Sequence, residues 1–196
     1  MKFTTTIKKF LGRHKVLTTL VVLLFLVTSI THKYGPYIGK VVDAETGEPL
    51  EGVVIYREFY TNSPNPGGAT GHFAGAAETL TDANGEFELS YRAFVFHPFC
   101  LWDPWPILMI FKPGYGVYPK HRASFSVPEN KEGFALPEGE YVTVNLPQLT
   151  TREERSVNQS SVHFRSDLVP YEKRKHITDL KNQERAYLGF QPVGVR

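Results

Sequence analysis

The chain has 196 residues, 22 of them Lys or Arg and 20 Asp or Glu, for a formal net charge of +2. Five of the basic residues (Lys2, Lys8, Lys9, Arg13, Lys15) precede the first long apolar stretch, and setting residues 1–31 aside leaves 17 basic against 20 acidic. A mildly acidic body argues against nucleic-acid binding, where phosphate contacts dominate affinity, while 41% hydrophobic residues allow a core and 14 Pro with 16 Gly favour short strands and many turns.

Val16 to Ile30 is uncharged and mostly apolar behind its basic flank. Fifteen helical residues rise about 22 Å, short of the roughly 30 Å hydrocarbon core. The segment reads as a signal peptide cleaved after Val27 and Ser29, or as a signal-anchor whose reach Phe10, Leu11 and the Lys/Arg stems extend. A core helix of a soluble protein is the third option. In the first two cases residues 32–196 are exported, tethered to the inner membrane through 16–30 or released to the periplasm. Cys100 is the single cysteine. It allows no internal disulfide, reads as a small buried hydrophobe, and lies too far downstream to anchor a lipid.

Tyr37 to Val42 predicts the first strand. Asp43 to Pro49 is a turn in which Gly47 supplies positive φ and Pro49 fixes re-entry; Leu50 is a core anchor before Gly52. Val53 to Tyr60, β-branched and aromatic, is the second strand. Thr61 to Gly75, rich in Asn, Pro and Gly, reads as a long loop. Ala77 to Thr81 and Glu86 to Tyr91 flank the Asp82-Ala83-Asn84-Gly85 hairpin turn. Ile107 to Phe111 ends at Lys112-Pro113-Gly114-Tyr115, and Arg122 to Val127 and Tyr141 to Leu146 complete seven strands. That is enough for a small antiparallel β-sandwich over residues 36–146. Residues 150–196 change character: Thr150 or Thr151 caps a polar helix, and Pro170 opens a second helix over 171–188, closed by Gly189, in which Ile177, Leu180, Glu184, Tyr187 and Leu188 share a stripe; this helix is expected to lie on the sandwich.

The two turn blocks, Gly39, Val41, Asp43, Thr46, Gly47, Pro49, Leu50, Gly52 and Val53, then Thr81, Asp82, Asn84, Gly85, Phe87 and Leu89, precede the Lys112–Tyr115 turn. In that order they resemble the carboxypeptidase regulatory-like domain family, of the transthyretin-like or prealbumin-like sandwich type. The resemblance covers about residues 36–146 and implies a fold with accessory or adhesive roles; with no peptidase domain present it implies no peptidase activity. The 61–76 insertion, the aromatic 94–106 segment and the helical tail depart from it.

No motif for chemistry stands out. The seven histidines form no His-Glu-x-x-His or close pair, though distant ones such as His72, His97 and His121 could converge. A Gly-x-Ser-x-Gly elbow is missing. Cys100 with His97 reads as packing rather than a thiolate pair. Asp82–Glu86 is shorter than a calcium loop and runs straight into strand alternation. The Gly67-Gly68 loop lacks the Lys-Ser/Thr pair of a phosphate loop. We therefore expect no catalytic residue, cofactor or metal. The aromatic segment is the candidate binding surface: Phe99, Trp102, Asp103 and Trp105, held rigid by prolines, would contact a partner, lipid headgroups or the protein's own interior. The reading is a non-enzymatic exported module that binds or scaffolds an envelope protein. The alternatives are a glycan-binding module using the tryptophans and a small hydrolase.

Overall fold

The computed structural model describes residues 31–94, 101–103, 107–129, 136–165 and 167–194. Of residues 1–30 it describes only 15, 17, 19, 20 and 23, all helical. Among the described residues no helix is long and apolar enough to cross a membrane; most of Val16–Ile30 lies outside them, as do His97, Phe99, Cys100 and Trp105.

The chain is mostly β, in two sheets. The strands are β1 (Thr31–Asp43), β2 (Val54–Asn65), β3 (Gly68–Leu80), β4 (Glu86–Phe94), β5 (Leu101–Trp102), β6 (Ile107–Phe111), β7 (Phe125–Val127) and β8 (Tyr141–Leu146). One sheet has the order β4-β1-β8-β7; the other has β3-β2-β5, with β6 also pairing β2 beyond β5. Tyr37, Val41, Phe87, Leu89, Val142, Val144 and Leu146 of the first sheet meet Ile55, Phe59, Leu108 and Ile110 of the second, with Val53 just before β2, in one core. Two helices follow, α1 (Arg152–Ser161) and α2 (Lys175–Tyr187), with a 3-10 turn at Tyr171–Lys173.

Four sequence expectations change. The described strands number eight rather than seven. The sheets are not wholly antiparallel, because β8 runs parallel to β1 from Ile38↔Tyr141 to Asp43↔Leu146; the intervening passage through the other sheet supplies the long crossover that parallel pairing needs. The 61–75 stretch is no irregular loop. The β2–β3 ladder carries on through Thr61↔His72 and Ser63↔Thr70 to Asn65↔Gly68, and Asn65 holds the tip by accepting from Gly67 N–H (2.8 Å) and donating to Thr70 (2.8 Å). Finally, β1 starts at Thr31, not Tyr37, since Thr31–Tyr34 pair with Tyr91–Phe94.

The turn blocks fold as their residue types require. Asp43 Oδ1 accepts from the N–H groups of Glu45 and Thr46, Gly47 takes φ 72°, and Thr81 Oγ1 donates to Leu50 O while accepting from Val53 N–H. Asp82 Oδ1 accepts from Asn84 and Glu86 N–H, which closes the hairpin. At Gly85 a Cβ would lie 2.5 Å from Val41 O, so the turn must be this tight for Val41 N–H to reach Gly85 O.

The helices cover the outer face of the second sheet. Val54, Tyr56, Ala76, Met109 and Phe111 form a second core with Val162, Phe164, Val169 and Ile177. Thr151 caps α1 in a reciprocal capping box with Glu154. The cap of α2 comes from the sheet: the Glu78 carboxylate accepts from His176 and Ile177 N–H at 2.8 and 3.0 Å, placing an anion at the positive end of the helix. Arg155 and Glu184 join the two helices by paired hydrogen bonds of 2.8 and 2.5 Å. Glu184 also accepts from Gly114 N–H, which ties the Lys112–Tyr115 turn to α2.

Candidate functional site: a cleft between the sheets

Central strand β2 is buried on both faces, and its alternation decides what each face carries. Val53, Ile55 and Phe59 belong to the inter-sheet core, and Val54 and Tyr56 to the helix-covered core. In the same alternation Arg57 falls on the inter-sheet side and Glu58 on the helix side. Both are buried, at 2% and 0% exposure.

Glu58 is fully engaged. It accepts from Tyr56 Oη (2.9 Å), Tyr60 Oη (2.6 Å) and the backbone N–H of Arg165 (2.9 Å). Arg57 is not. Among the described residues no acceptor reaches its Nε or Nη1. Its guanidinium lies 3.8 Å above the Tyr37 ring and 5.9 Å from that of Phe59, contacts that satisfy charge in part but no N–H. Burial pushes Arg57 below its ordinary value, against the pull of Tyr37, Glu138 and Tyr34.

Arg57 lines a cleft of about 310 Å³ together with His32, Tyr34 and Tyr37 of β1, Trp102 of β5, Asp103 and Glu138. The early start of β1 is what delivers His32 and Tyr34 there. Trp102 stacks on His32, with ring centroids 5.0 Å apart and planes 24° from parallel, and meets Tyr34 edge-on at 5.9 Å. Behind them Tyr34, Phe59 and Tyr91 stack in series at 4.3 and 4.7 Å. Tyr37 donates to Glu138 in a short hydrogen bond, whereas Tyr34 Oη has no partner among the described residues. Burial raises both phenols well above the ordinary tyrosine value, so both keep their protons.

Of the residues singled out from the sequence, Trp102 and Asp103 stand in this cleft, half-buried, and Asp103 N–H donates to Tyr60 O. Phe99 and Trp105 lie outside the described residues. Gly47, Pro49, Gly52, Asp82, Asn84, Gly85 and Gly114 sit in turns and bends away from the cleft lining. The sequence reading missed His32, Tyr34, Tyr37, Arg57 and Glu138. One signal was there to be found: two adjacent charges, Arg57 and Glu58, inside an otherwise apolar and aromatic strand.

Two other hollows are more open. One, near 410 Å³, is lined by Lys120, His121, Arg122, Glu153, Glu154 and Asn158; Glu154 is already used in the α1 cap, and Asn158 bonds Val117 N–H and Tyr115 O. The other is a shallow groove between Asp82, Glu86, Glu88 and Tyr141. Among the described residues no three His, Cys, Asp or Glu side chains gather as metal ligands.

Fold and site together define a two-sheet β protein with a helix-covered outer face and, between the sheets, an aromatic cleft that holds one buried arginine beside two carboxylates. Compared with protein-family models, with curated proteins and with solved structures, the chain finds no match in any of the three.

Proposed function

We propose that the protein is a non-enzymatic binding module of the cell envelope, and that the Arg57 cleft is where it takes hold of a partner protein. The observation that carries this reading is a buried cation with unpartnered donors at the base of an aromatic recess. Folding alone has no use for such a group, since a buried charge is costly unless it is paired; recognition does.

Two further features support it. Leu101 and Phe94, each 69% exposed, stand at the same end of the sandwich: Leu101 precedes Trp102 in β5, and Phe94 pairs with Thr31, the neighbour of His32, so strand alternation turns both to the sheet face opposite to those lining residues. Exposed apolar side chains at this end of the sandwich extend the surface that a polypeptide could cover. His32 covers one face of Trp102, which leaves less ring for stacking on a sugar and favours a polypeptide over a glycan. The apolar stretch 16–30, ending directly before β1, would hold this end of the sandwich near a membrane. The turn signatures of the carboxypeptidase regulatory-like family fit the same accessory role.

The test is site-specific photocrosslinking in cells that express the full chain. A photoreactive residue at Leu101 should capture a discrete envelope protein, and one at Val157, exposed on α1, should not. Equal capture from both positions, or none from Leu101, contradicts the proposal.

A further inference from the structure

The two charges at the centre of β2 are treated differently by the fold. Glu58 receives three donors. Arg57, 2% exposed, receives no acceptor at Nε or Nη1 and forms no ion pair among the described residues. A guanidinium stays protonated in proteins, so the group cannot escape its burial by neutralising. The Tyr37 ring 3.8 Å below it offsets part of the charge. Glu138, which lines the same cleft, supplies part of the counter-charge, but no oxygen accepts from Nε or Nη1 among the described residues. Tyr34 Oη, a second unpartnered donor, belongs to another residue lining the same cleft.

We infer that the cleft receives a single carboxylate, carried on a small apolar or aromatic group that packs against Trp102 and Tyr34. This rests on the reading of the cleft as a recognition site and names the chemistry it recognises. A neutral amide could accept hydrogen bonds, but these would be weaker than the charge-assisted pair a carboxylate makes with a guanidinium. A dianion such as a phosphate monoester would bring a second negative charge towards Asp103 and Glu138, which also line the cleft. The cleft volume of about 310 Å³ suits one side chain with its carboxylate, at the small end of ligand sites. Two sources of that chemistry fit: the C-terminal residue of a polypeptide, or a free aromatic acid.

The experiment is calorimetric titration of the full chain in detergent with four probes: N-acetylphenylalanine, N-acetylphenylalaninamide, benzoate and phenyl phosphate. The inference predicts saturable binding of N-acetylphenylalanine or benzoate. The amide and the phosphate should each be weaker by about tenfold or more, as expected for loss or mismatch of a buried charge pair. Tighter binding of the acetylated residue identifies a chain terminus, and tighter benzoate a free acid. Arg57→Met should abolish binding of the acids while the thermal midpoint of the unliganded protein stays the same or rises, and Arg57→Lys should retain part of it. Equal affinity for acid and amide, no binding of either acid, or unchanged acid binding by Arg57→Met overturns the inference. The Leu101 crosslink separates the two claims. If the crosslink persists while the acids fail to bind, the carboxylate assignment falls and the binding module stands; if the wild-type crosslink is itself missing, the module reading falls.

Discussion

Replacing Arg57 by Met should stabilise the unliganded protein. Two buried donor atoms of Arg57 are unsatisfied, and each costs about 1–3 kcal/mol of desolvation. Against this, the substitution removes the stacking of the guanidinium on Tyr37 at 3.8 Å, worth about 1–2 kcal/mol when desolvated. Met follows a similar path with apolar atoms only, so little cavity opens at a site of 2% exposure. The balance favours Met by about 1–3 kcal/mol, in the range seen when buried charges are exchanged for well-packed apolar groups. For a chain of this size that is a rise of roughly 3–10 °C in the thermal midpoint. Thermal and urea denaturation of the full chain in detergent would measure it. A loss of about 1 kcal/mol or more would refute the reasoning, because Arg57 would then be a structural residue with partners that offset its burial.

Other substitutions test the frame around the cleft. Arg155→Met strands the Glu184 carboxylate, which is wholly buried and takes two hydrogen bonds from Arg155; we expect a loss of about 3 kcal/mol, largely restored in the Arg155→Met/Glu184→Met double variant, read by urea denaturation. Gly39→Ala drives a Cβ to 2.1 Å from Val142 O in the middle of the first sheet, whereas Gly52→Ala meets no atom within 4 Å and strains only φ at +70°; losses of about 3 and about 1 kcal/mol follow, and equal losses would contradict the packing described. At Asp43 burial opposes ionisation, but N–H donors from Thr46 and Glu45 and the Tyr115 hydroxyl outweigh it and lower its pKa. A lowered carboxyl contributes stability above the unfolded value near 3.9 and loses it as pH falls through the folded one. Asp43→Asn should therefore cost about 1–2 kcal/mol at pH 6, with the gap to wild type closing below about pH 4 in urea titrations; a gap independent of pH would refute the assignment.

What could be read from the chain was local. The turn at 43–49 and the hairpin at 82–85 announce themselves because positive φ and Asx hydrogen bonding select Gly, Asp and Asn within four residues of one another, and both turns form as read. The Thr151 cap is legible for the same reason. The 61–75 stretch misled because Asn62, Pro64, Pro66 and three glycines (67, 68, 71) have poor strand propensity, yet each residue added to the β2–β3 ladder only extends pairing already registered by Val54↔Leu80 through Phe59↔Gly75. The parallel seat of β8 beside β1 depends on partners about 100 residues apart and leaves no local trace. The cleft was half legible. Trp102 and Asp103 came from composition, but Arg57 becomes meaningful only once β2 is known to be buried on both faces. His32 and Glu138 reach the cleft by tertiary placement alone. The α2 cap is a similar case: Arg174 makes no side-chain cap, and Glu78, on β3, does that work from across the fold.

The central claim is that Arg57 waits for a negatively charged partner. Its Nε–H resonance, followed by proton–nitrogen correlation spectroscopy of the full chain in detergent, tests this with internal controls, since Nε of Arg155 and Arg174 already donates to Glu184 and to Val169 O. On adding N-acetylphenylalanine, the account predicts that the Arg57 signal shifts and saturates while the Arg155 and Arg174 signals stay in place. An Arg57 signal that does not move, or three that move alike, would contradict it.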